Sequence, residues 1–503
     1  MEKKYLYGFD IGTYESKGTI CDFSGRVVAT AAQGHVLKNP RPGFAEHDPI
    51  GDWWDGFRVI TARLLGQTGI DPRQIAAVGT SAIAAAVTPV DEACVPLRNA
   101  ILYGIDTRSQ PQAKELNDAV GEAELNRLYG GVCTVESFGP KILWIRENEP
   151  EVYARTRHFT FAAGFLNARL TGRYAIDVYS AQSALPMYDP ATQGWNEGRC
   201  ALVCPPELLP GIYKTYDLIG EVTEAAARET GLAAGTPVIC GTTDAAAEAV
   251  SVGVVEPGDT MLMYGSTMFF IHVLDKMVEG AYGQYVIPGT CAFAGGMATT
   301  GSLTRWLRDN FAQDLLEREK AGGGNAYDAL FAEAQNIPAG SDGLIVLPYF
   351  LGERMPLQDP NARGMFFGLN LRHTRGHMVK AAFEGIGYGI DQNLSLLRRR
   401  GAVFSAATAV GGGTKTPLWI QTVSDICGIS QQVPQVTVGA SYGDALMAGI
   451  AVGAVRSPHA IKEMVQLRYT TQPDPALRPV YDRYREIYRQ LYQRTADLMH
   501  QLP

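Results

Sequence analysis

Tyr5-Leu6-Tyr7-Gly8-Phe9-Asp10-Ile11-Gly12-Thr13 is the stretch that decides how this chain is read. An apolar run of strand composition delivers one carboxylate, Asp10, and then a Gly-Thr turn. The chain returns through Tyr14-Glu15-Ser16-Lys17-Gly18-Thr19-Ile20-Cys21-Asp22, which reads as a second strand joined to the first by a tight hairpin. Gly, Thr, Ser and Lys in one turn present backbone N–H groups, hydroxyls and an ammonium. That donor set suits a phosphate chain, and the neighbouring carboxylate suits magnesium. Taken alone, the same residues also make an ordinary hairpin with a polar tip.

Strand-like runs at residues 5–9, 18–23 and 26–32 are followed by a helix-like stretch at 53–65 and a strand at 75–79 that ends in Thr80-Ser81. This alternation predicts an α/β domain with a mixed sheet. Residues 259–273 repeat the opening pattern: a strand, the turn Gly265-Ser266-Thr267, and another strand. The echo predicts a second domain of similar topology. A chain of 503 residues exceeds what one core usually serves, and Pro257-Gly258 divides it into 1–256 and 257–503. Residues 321–325 read as an exposed loop. Tyr481, Tyr484, Ile487, Tyr488, Leu491, Tyr492 and Leu498 recur at helical spacing, which predicts an amphipathic helix docked on the second domain.

The formal net charge of −8 argues against nucleic acid as a partner, because phosphate-backbone binding demands a basic surface. The one dense basic run, Arg398-Arg399-Arg400, precedes Gly401 and reads as a helix C-terminus. No apolar stretch reads as a leader or a membrane span. Eight scattered cysteines show no metal-ligand spacing, so reduced thiols in a cytoplasmic protein are expected. His373 and His377 have helical metal-pair spacing but lack a third ligand, and read as a helix start.

Small-residue turns recur after apolar strands: Gly12-Thr13, Gly265-Ser266, and Gly411-Gly412-Gly413-Thr414-Lys415-Thr416. The third lacks the Gly-Lys-Ser/Thr ending of a P-loop, which argues against a P-loop ATPase. Asp244, in Cys240-Gly241-Thr242-Thr243-Asp244, lies between a strand and a helix. It reads equally as a helix N-cap or as a catalytic base. No Ser–His or Cys–His pair offers a covalent nucleophile.

These motifs together resemble the FGGY carbohydrate kinases. The resemblance rests on Asp10-Ile11-Gly12-Thr13 with Lys17, Gly241–Asp244, Tyr264–Ser266, Gly301-Ser302 with Trp306-Leu307, and Gly411–Gly413. It extends to Leu347-Pro348-Tyr349-Phe350-Leu351-Gly352-Glu353-Arg354, then Pro356, Asp359–Gly364 and Phe367–Leu369. Lys141–Trp144 with Glu147-Asn148, and Pro42–Pro49 with Trp53-Trp54, also fit. Xylulokinases and gluconokinases are the members it is most similar to. The resemblance implies two actin-like (ribonuclease H-like) domains of α/β class, with Mg-ATP and a sugar in the cleft between them. By that resemblance, 1–256 would bind sugar and 257–503 nucleotide.

The same resemblance implies roles. Asp10 would organise magnesium through water, and Thr13 and Lys17, beside Gly12, would meet the terminal phosphates. Gly265 and Ser266 would form a second phosphate loop. Gly301, Gly412, Gly413 and Thr416 would line the nucleotide pocket. Asp244 would take the proton from the attacking sugar hydroxyl, and Tyr103, Asp106 and Arg108 would read the substrate. For Asp106 and Arg108 an internal salt bridge is an equally good explanation. The expected partner is a small sugar or polyol, without nucleic acid or membrane, and the resemblance leaves room for a homodimer.

Two departures bear on substrate. Ala84 and Ala85 fall where xylulokinases typically carry Met-His and glycerol kinases Arg-Glu, and neither alanine side chain can hydrogen-bond. Gly104 replaces a large residue expected two positions before Asp106. Poor activity on D-xylulose and glycerol is therefore expected, with another ketose, polyol or aldonate preferred. An actin-like ATPase or chaperone and a catalytically silent sugar sensor would share the fold. Asp10 and Asp244, both present, favour the kinase.

Overall fold

The computed structural model describes residues 2–278, 283–404 and 406–502. Strand Tyr5–Ile11 pairs antiparallel with Glu15–Asp22, which puts Asp10 opposite Lys17, and Glu15–Asp22 pairs in turn with Val27–Gly34. On its other side Tyr5–Ile11 runs parallel to Ile75–Ala82, with Asp10 beside Ser81. A parallel pair needs a crossover, and helix Asp55–Thr68, entered through the π-helical turn Pro49–Trp54, supplies it. Strand Pro237–Ile239 extends the sheet beyond Ile75–Ala82, and Leu218–Glu221 closes that edge.

Nearly every residue of Tyr5–Ile11 is buried, as the continuous apolar run requires of a strand covered on both faces. Helix Asp55–Thr68 covers one face, and its Phe57 ring lies 5.7 Å from Tyr7 and 4.8 Å from Phe9. Helix Ala440–Ala451 covers the other. Gly8 and Gly79 are register partners in the sheet beneath that helix. A Cβ on Gly8 would stand 1.9 Å from the Ser441 carbonyl oxygen, and one on Gly79 2.2 Å from that of Asp444. The two glycines make a floor flat enough for a helix backbone to lie on the strands.

That docking explains the composition of the first compact unit, Met1–Glu256 with Val273–Ala292 and Val438–Val465. The second unit comprises Pro257–His272, Phe293–Thr437 and Gln466–Pro503. Division at Pro257 alone leaves 438–465 with the second half, whereas the Ala440–Ala451 helix belongs to the first sheet. The packing surface it fits is glycine in both strands.

In the second sheet Thr260–Tyr264 pairs antiparallel with Met268–Leu274 and parallel with Ala406–Val410, which runs parallel to Ser430–Pro434. Cys291–Met297 lies beyond Met268–Leu274. Both sheets therefore share one strand order: third, second, first, fourth, fifth. Strand Leu467–Thr471 adds an antiparallel edge, and helix Arg478–Met499 buries Tyr481 and Tyr488 completely. His377 closes a capping box with Thr374 at the start of helix Arg375–Arg399, and Gly401 follows that helix with φ 90°. Residues 321–325 are all exposed. Among the described residues no helix is long and apolar enough to cross a membrane. All eight cysteines are buried thiols.

Candidate active site

In the first unit, carboxylates gather at the C-terminal ends of the parallel strands. Asp10 is 8% exposed at the end of its strand. Thr242–Thr243 pairs with Ile75–Ala82, and the chain turns directly into helix Asp244–Ser251. Thr243 is the N-cap: its hydroxyl accepts the Ala246 N–H at 3.4 Å. Asp244 is the first helical residue, and its carboxylate accepts the Ala245 N–H at 2.8 Å. The cap is thus made without Asp244.

Glu248 sits one turn further along the same helix. Burial raises the pKa of each member of the group. Asp244 is pushed up to about 6 and Glu248 to about 7, and Asp10, which also feels the charge of Asp244, lies well above the usual carboxylate range. Burial and then the charge of Asp10 do the same to Asp444. Ser81 Oγ lies 3.1 Å from Asp10 Oδ1 and 2.7 Å from Asp444 Oδ2. One hydroxyl has one proton, so the second short contact needs a carboxyl proton. Asp444 is fully buried and among the described residues its Oδ1 has no hydrogen-bond partner, which makes it the group that holds the proton.

Glu248 and Asp444 lie outside the residues singled out from sequence. The Asp244–Glu248 spacing of four, which puts both on one helix face, was a readable signal. Asp444 gave none, because only the return of its helix to the first sheet brings it near Asp10. A carboxyl whose folded pKa is raised costs stability once pH exceeds its unfolded value, near 4, and costs nothing below it. Asp444→Asn keeps the shape without that cost. We expect a higher melting temperature than wild type at pH 7–8, by about 2–4 °C for each kcal/mol relieved, with the gain vanishing near pH 4. Equal melting temperatures at both pH values would show that Asp444 is ionised without penalty.

The Gly12-Thr13 turn is closed by the Gly12 N–H donating to the Glu15 carbonyl at 3.0 Å. Thr13 Oγ1 meets the Tyr103 hydroxyl at 2.8 Å, which ties the turn to the segment expected to read substrate. Lys17 pairs with Glu15 at 2.9 Å. Burial works against its charge, but Glu15 and then Asp10 keep its pKa above the usual lysine value.

Asp106 and Arg108 contact each other. Both Asp106 oxygens accept from Arg108, at 2.7–3.0 Å, and Oδ2 also accepts the Ala45 N–H at 2.7 Å. Arg108 reaches Glu46 at 2.8 Å and packs over the Phe44 ring at 3.8 Å. Asp106 is 0% exposed and both its oxygens are engaged by Arg108 and the Ala45 N–H, so the two residues form an internal salt bridge. Ala84 is half-buried, and Ala85 is buried with φ 57°. Glu136 fills the space over Gly104: a Cβ there would lie 2.7 Å from its Cγ and 2.8 Å from Oε1. Lys141, buried completely, donates to the Val135 and Ser137 carbonyls, and burial lowers its pKa to about 7.

In the second unit the small-residue turns leave adjacent parallel strands side by side. Gly265-Ser266 follows Thr260–Tyr264, and Gly411 follows Ala406–Val410. Gly301 opens helix Gly301–Phe311, where its N–H donates to the Gly265 carbonyl at 2.9 Å and Ser302 Oγ donates to the Ser266 carbonyl at 2.8 Å. A Cβ on Gly301 would come within 2.5 Å of the Gly265 carbonyl oxygen. Gly413 packs on Tyr264 and Trp419, whereas Gly412 faces open space. Thr416 occupies the N-cap position of helix Pro417–Cys427 without a side-chain capping bond. The second unit therefore brings Gly265, Ser266 and Gly301 together, with Gly412, Gly413 and Thr416 on the neighbouring strand end. Glu353 Oε1 accepts the Ala298 and Arg354 N–H groups at 2.9 and 2.7 Å, so the Leu347–Arg354 motif holds loops of this unit together.

This duplicated sheet with paired carboxylates and small-residue turns defines a class, and comparison with known proteins names it. The N-terminal domain of the FGGY family of carbohydrate kinases matches residues 5–251 and its C-terminal domain matches 259–452. The chain belongs to that family and is a phosphotransferase of the actin-like α/β fold. It is 26% identical to the xylulose kinase of Staphylococcus epidermidis, over 99% of this chain and 98% of that one. It is 27% identical to the gluconokinase of Bacillus subtilis, over 93% and 92%. The crystal structure of xylulose kinase from Rhodospirillum rubrum superimposes with a TM-score of 0.91 at 30% identity, covering 99% of this chain and 100% of that one.

Proposed function

We propose that this chain transfers the γ-phosphoryl group of ATP to a hydroxyl of a small ketose, polyol or aldonate, with Asp244 as the general base. The observation that carries this reading is the placement of Asp244. It starts a helix that Thr243 already caps, and its carboxyl, pushed up to about 6, is poised to accept a proton near neutral pH. A carboxylate freed from capping has a lone pair to spend on a sugar hydroxyl.

The donor set fits the co-substrate and its ion. Asp10, Asp244 and Glu248 crowd one site beside the protonated Asp444, and a bound cation would relieve the repulsion among the first three. Among the described residues no three His, Cys, Asp or Glu groups could cage an ion. Asp10 would hold magnesium through water, beside the phosphate oxygens of the nucleotide. When bound, the ion would neutralise phosphate charge. Thr13 and Lys17, with the Gly12 turn, would orient the terminal phosphates, and the Gly265-Ser266 turn would add backbone N–H groups. Gly301, Gly412, Gly413 and Thr416 would border the nucleoside. On the sugar side Tyr103, Asp106 and Arg108 would read the substrate, the last two as a preformed ion pair, and Glu136 beside Gly104 would add a carboxylate.

Kinases of this kind need alignment and charge neutralisation more than covalent help, so these groups suffice. Unpaired buried thiols and a net charge of −8 accord with a cytoplasmic enzyme that acts on small molecules. The test is ATP-dependent phosphorylation across ketoses, polyols and aldonates, with products identified by mass spectrometry. We expect a phosphorylated product from at least one of them, and low kcat/KM on D-xylulose and glycerol because Ala84 and Ala85 offer no polar contact. D-xylulose turned over far better than every other sugar would overturn the substrate reading. No product from any sugar would overturn the kinase reading.

A further inference from the structure

We infer that His47 is a positioning residue that fixes the Gly12-Thr13 turn through one imposed tautomer. The indole Nε1–H of Trp53 can only donate, and it lies 3.1 Å from His47 Nδ1. That nitrogen must therefore present its lone pair, which sends the ring proton to Nε2. Nε2 lies 3.0 Å from the Thr13 carbonyl oxygen, a group that can only accept. The chain Trp53 to His47 to Thr13 thus has one direction, and each link requires the next.

The relay is built on rigid elements. His47 and Trp53 are both 0% exposed. His47 belongs to strand Glu46–His47, which pairs with Ala100–Ile101. Trp53 lies in the Pro49–Trp54 turn, whose start is capped by Asp48 accepting the Ile50 and Gly51 N–H groups at 3.1 Å. Burial, and then the edge-on His35 ring at 4.6 Å, push the His47 pKa down to about 4, which keeps the single-proton form through the neutral range. At the far end of the relay the Thr13 hydroxyl meets Tyr103, so the turn is pinned by its carbonyl on one side and its side chain on the other. The motif Pro42–Pro49 with Trp53-Trp54 gains a physical purpose: it holds the turn from behind.

What that turn holds rests on the kinase reading, but the relay can be tested without it. Gln at position 47 can accept from the indole and donate to the carbonyl, whereas Phe fills the space and does neither. In His47→Phe, amide hydrogen exchange across residues 11–15 should accelerate about tenfold or more, and a non-hydrolysable ATP analogue with magnesium should bind about tenfold more weakly by calorimetry. His47→Gln should restore both to within about threefold. A residue that only fills the core would lower the melting temperature without this rescue by the hydrogen-bonding variant. The inference is overturned if His47→Phe leaves exchange and analogue binding as in wild type, or if His47→Gln is no better than His47→Phe. Should His47→Phe fail to fold, Trp53→Phe removes the imposed tautomer and should loosen the same turn, and unchanged exchange there overturns the inference too. Exchange is read without nucleotide or sugar, so an inactive wild-type enzyme would sink the kinase reading and leave this result interpretable.

Discussion

Asp244→Asn is expected to lower the sugar-phosphorylation rate by about 10²–10⁴-fold, the contribution of a positioned general base. The substitution keeps size, and the amide oxygen can still accept the Ala245 N–H that Asp244 Oδ1 accepts at 2.8 Å. Thr243 continues to cap the helix, so folding and binding of the ATP analogue should survive. The wild-type pH profile supplies an independent check. Asp244 is a base only when deprotonated, and burial has pushed its pKa up to about 6, so kcat/KM should fall as pH drops through that value. The residual activity of Asp244→Asn should lack this acid limb. A variant that retains most of the wild-type rate, or the same acid limb, would assign the proton transfer to another group.

Gly8→Ala is expected to cost about 3 kcal/mol or more, beyond the ordinary 1–3 kcal/mol of overpacking. The added Cβ would stand 1.9 Å from the Ser441 carbonyl oxygen and 2.5 Å from the Ala445 nitrogen. Both are backbone atoms of one helix, and neither can rotate away as a side-chain end could. The helix must lift from the strands, which carries Asp444 away from Ser81. At about 2–4 °C per kcal/mol for a domain of this size, the melting temperature should fall by roughly 6–12 °C. Activity should fall with it, since the same strand carries Asp10. A melting temperature within about 1 °C of wild type would show that the helix is not seated on the glycine floor.

Much of the architecture was legible one strand at a time. The run 5–9 with its polar turn, the 18–23 return and the 75–79 strand all became strands, slightly longer than read, because polar strand ends pair as well as apolar ones. The 53–65 stretch became helix Asp55–Thr68 once its first residues turned into the π-helical entry. His377 as a helix start, the basic helix end before Gly401, and the Tyr-rich terminal helix followed from local pattern alone.

Residue order was enough to reveal the duplicated strand–turn–strand units, the small-residue turns, and the carboxylates Asp10 and Asp244 at strand ends. These depend on residues within a few positions of one another, where backbone geometry and local hydrogen bonding leave little choice. Long-range packing, by contrast, settled that Thr243 and not Asp244 caps its helix, that Asp106 and Arg108 pair with each other, and that His47 lies behind the Gly12-Thr13 turn. It alone returned helix Ala440–Ala451 to the first sheet and so placed Asp444 within 2.7 Å of Ser81. Those outcomes turn on contacts between segments distant in the chain. A buried carboxylate or imidazole takes its partner, its proton and its pKa from whatever packing brings to it, and local pattern carries no record of that.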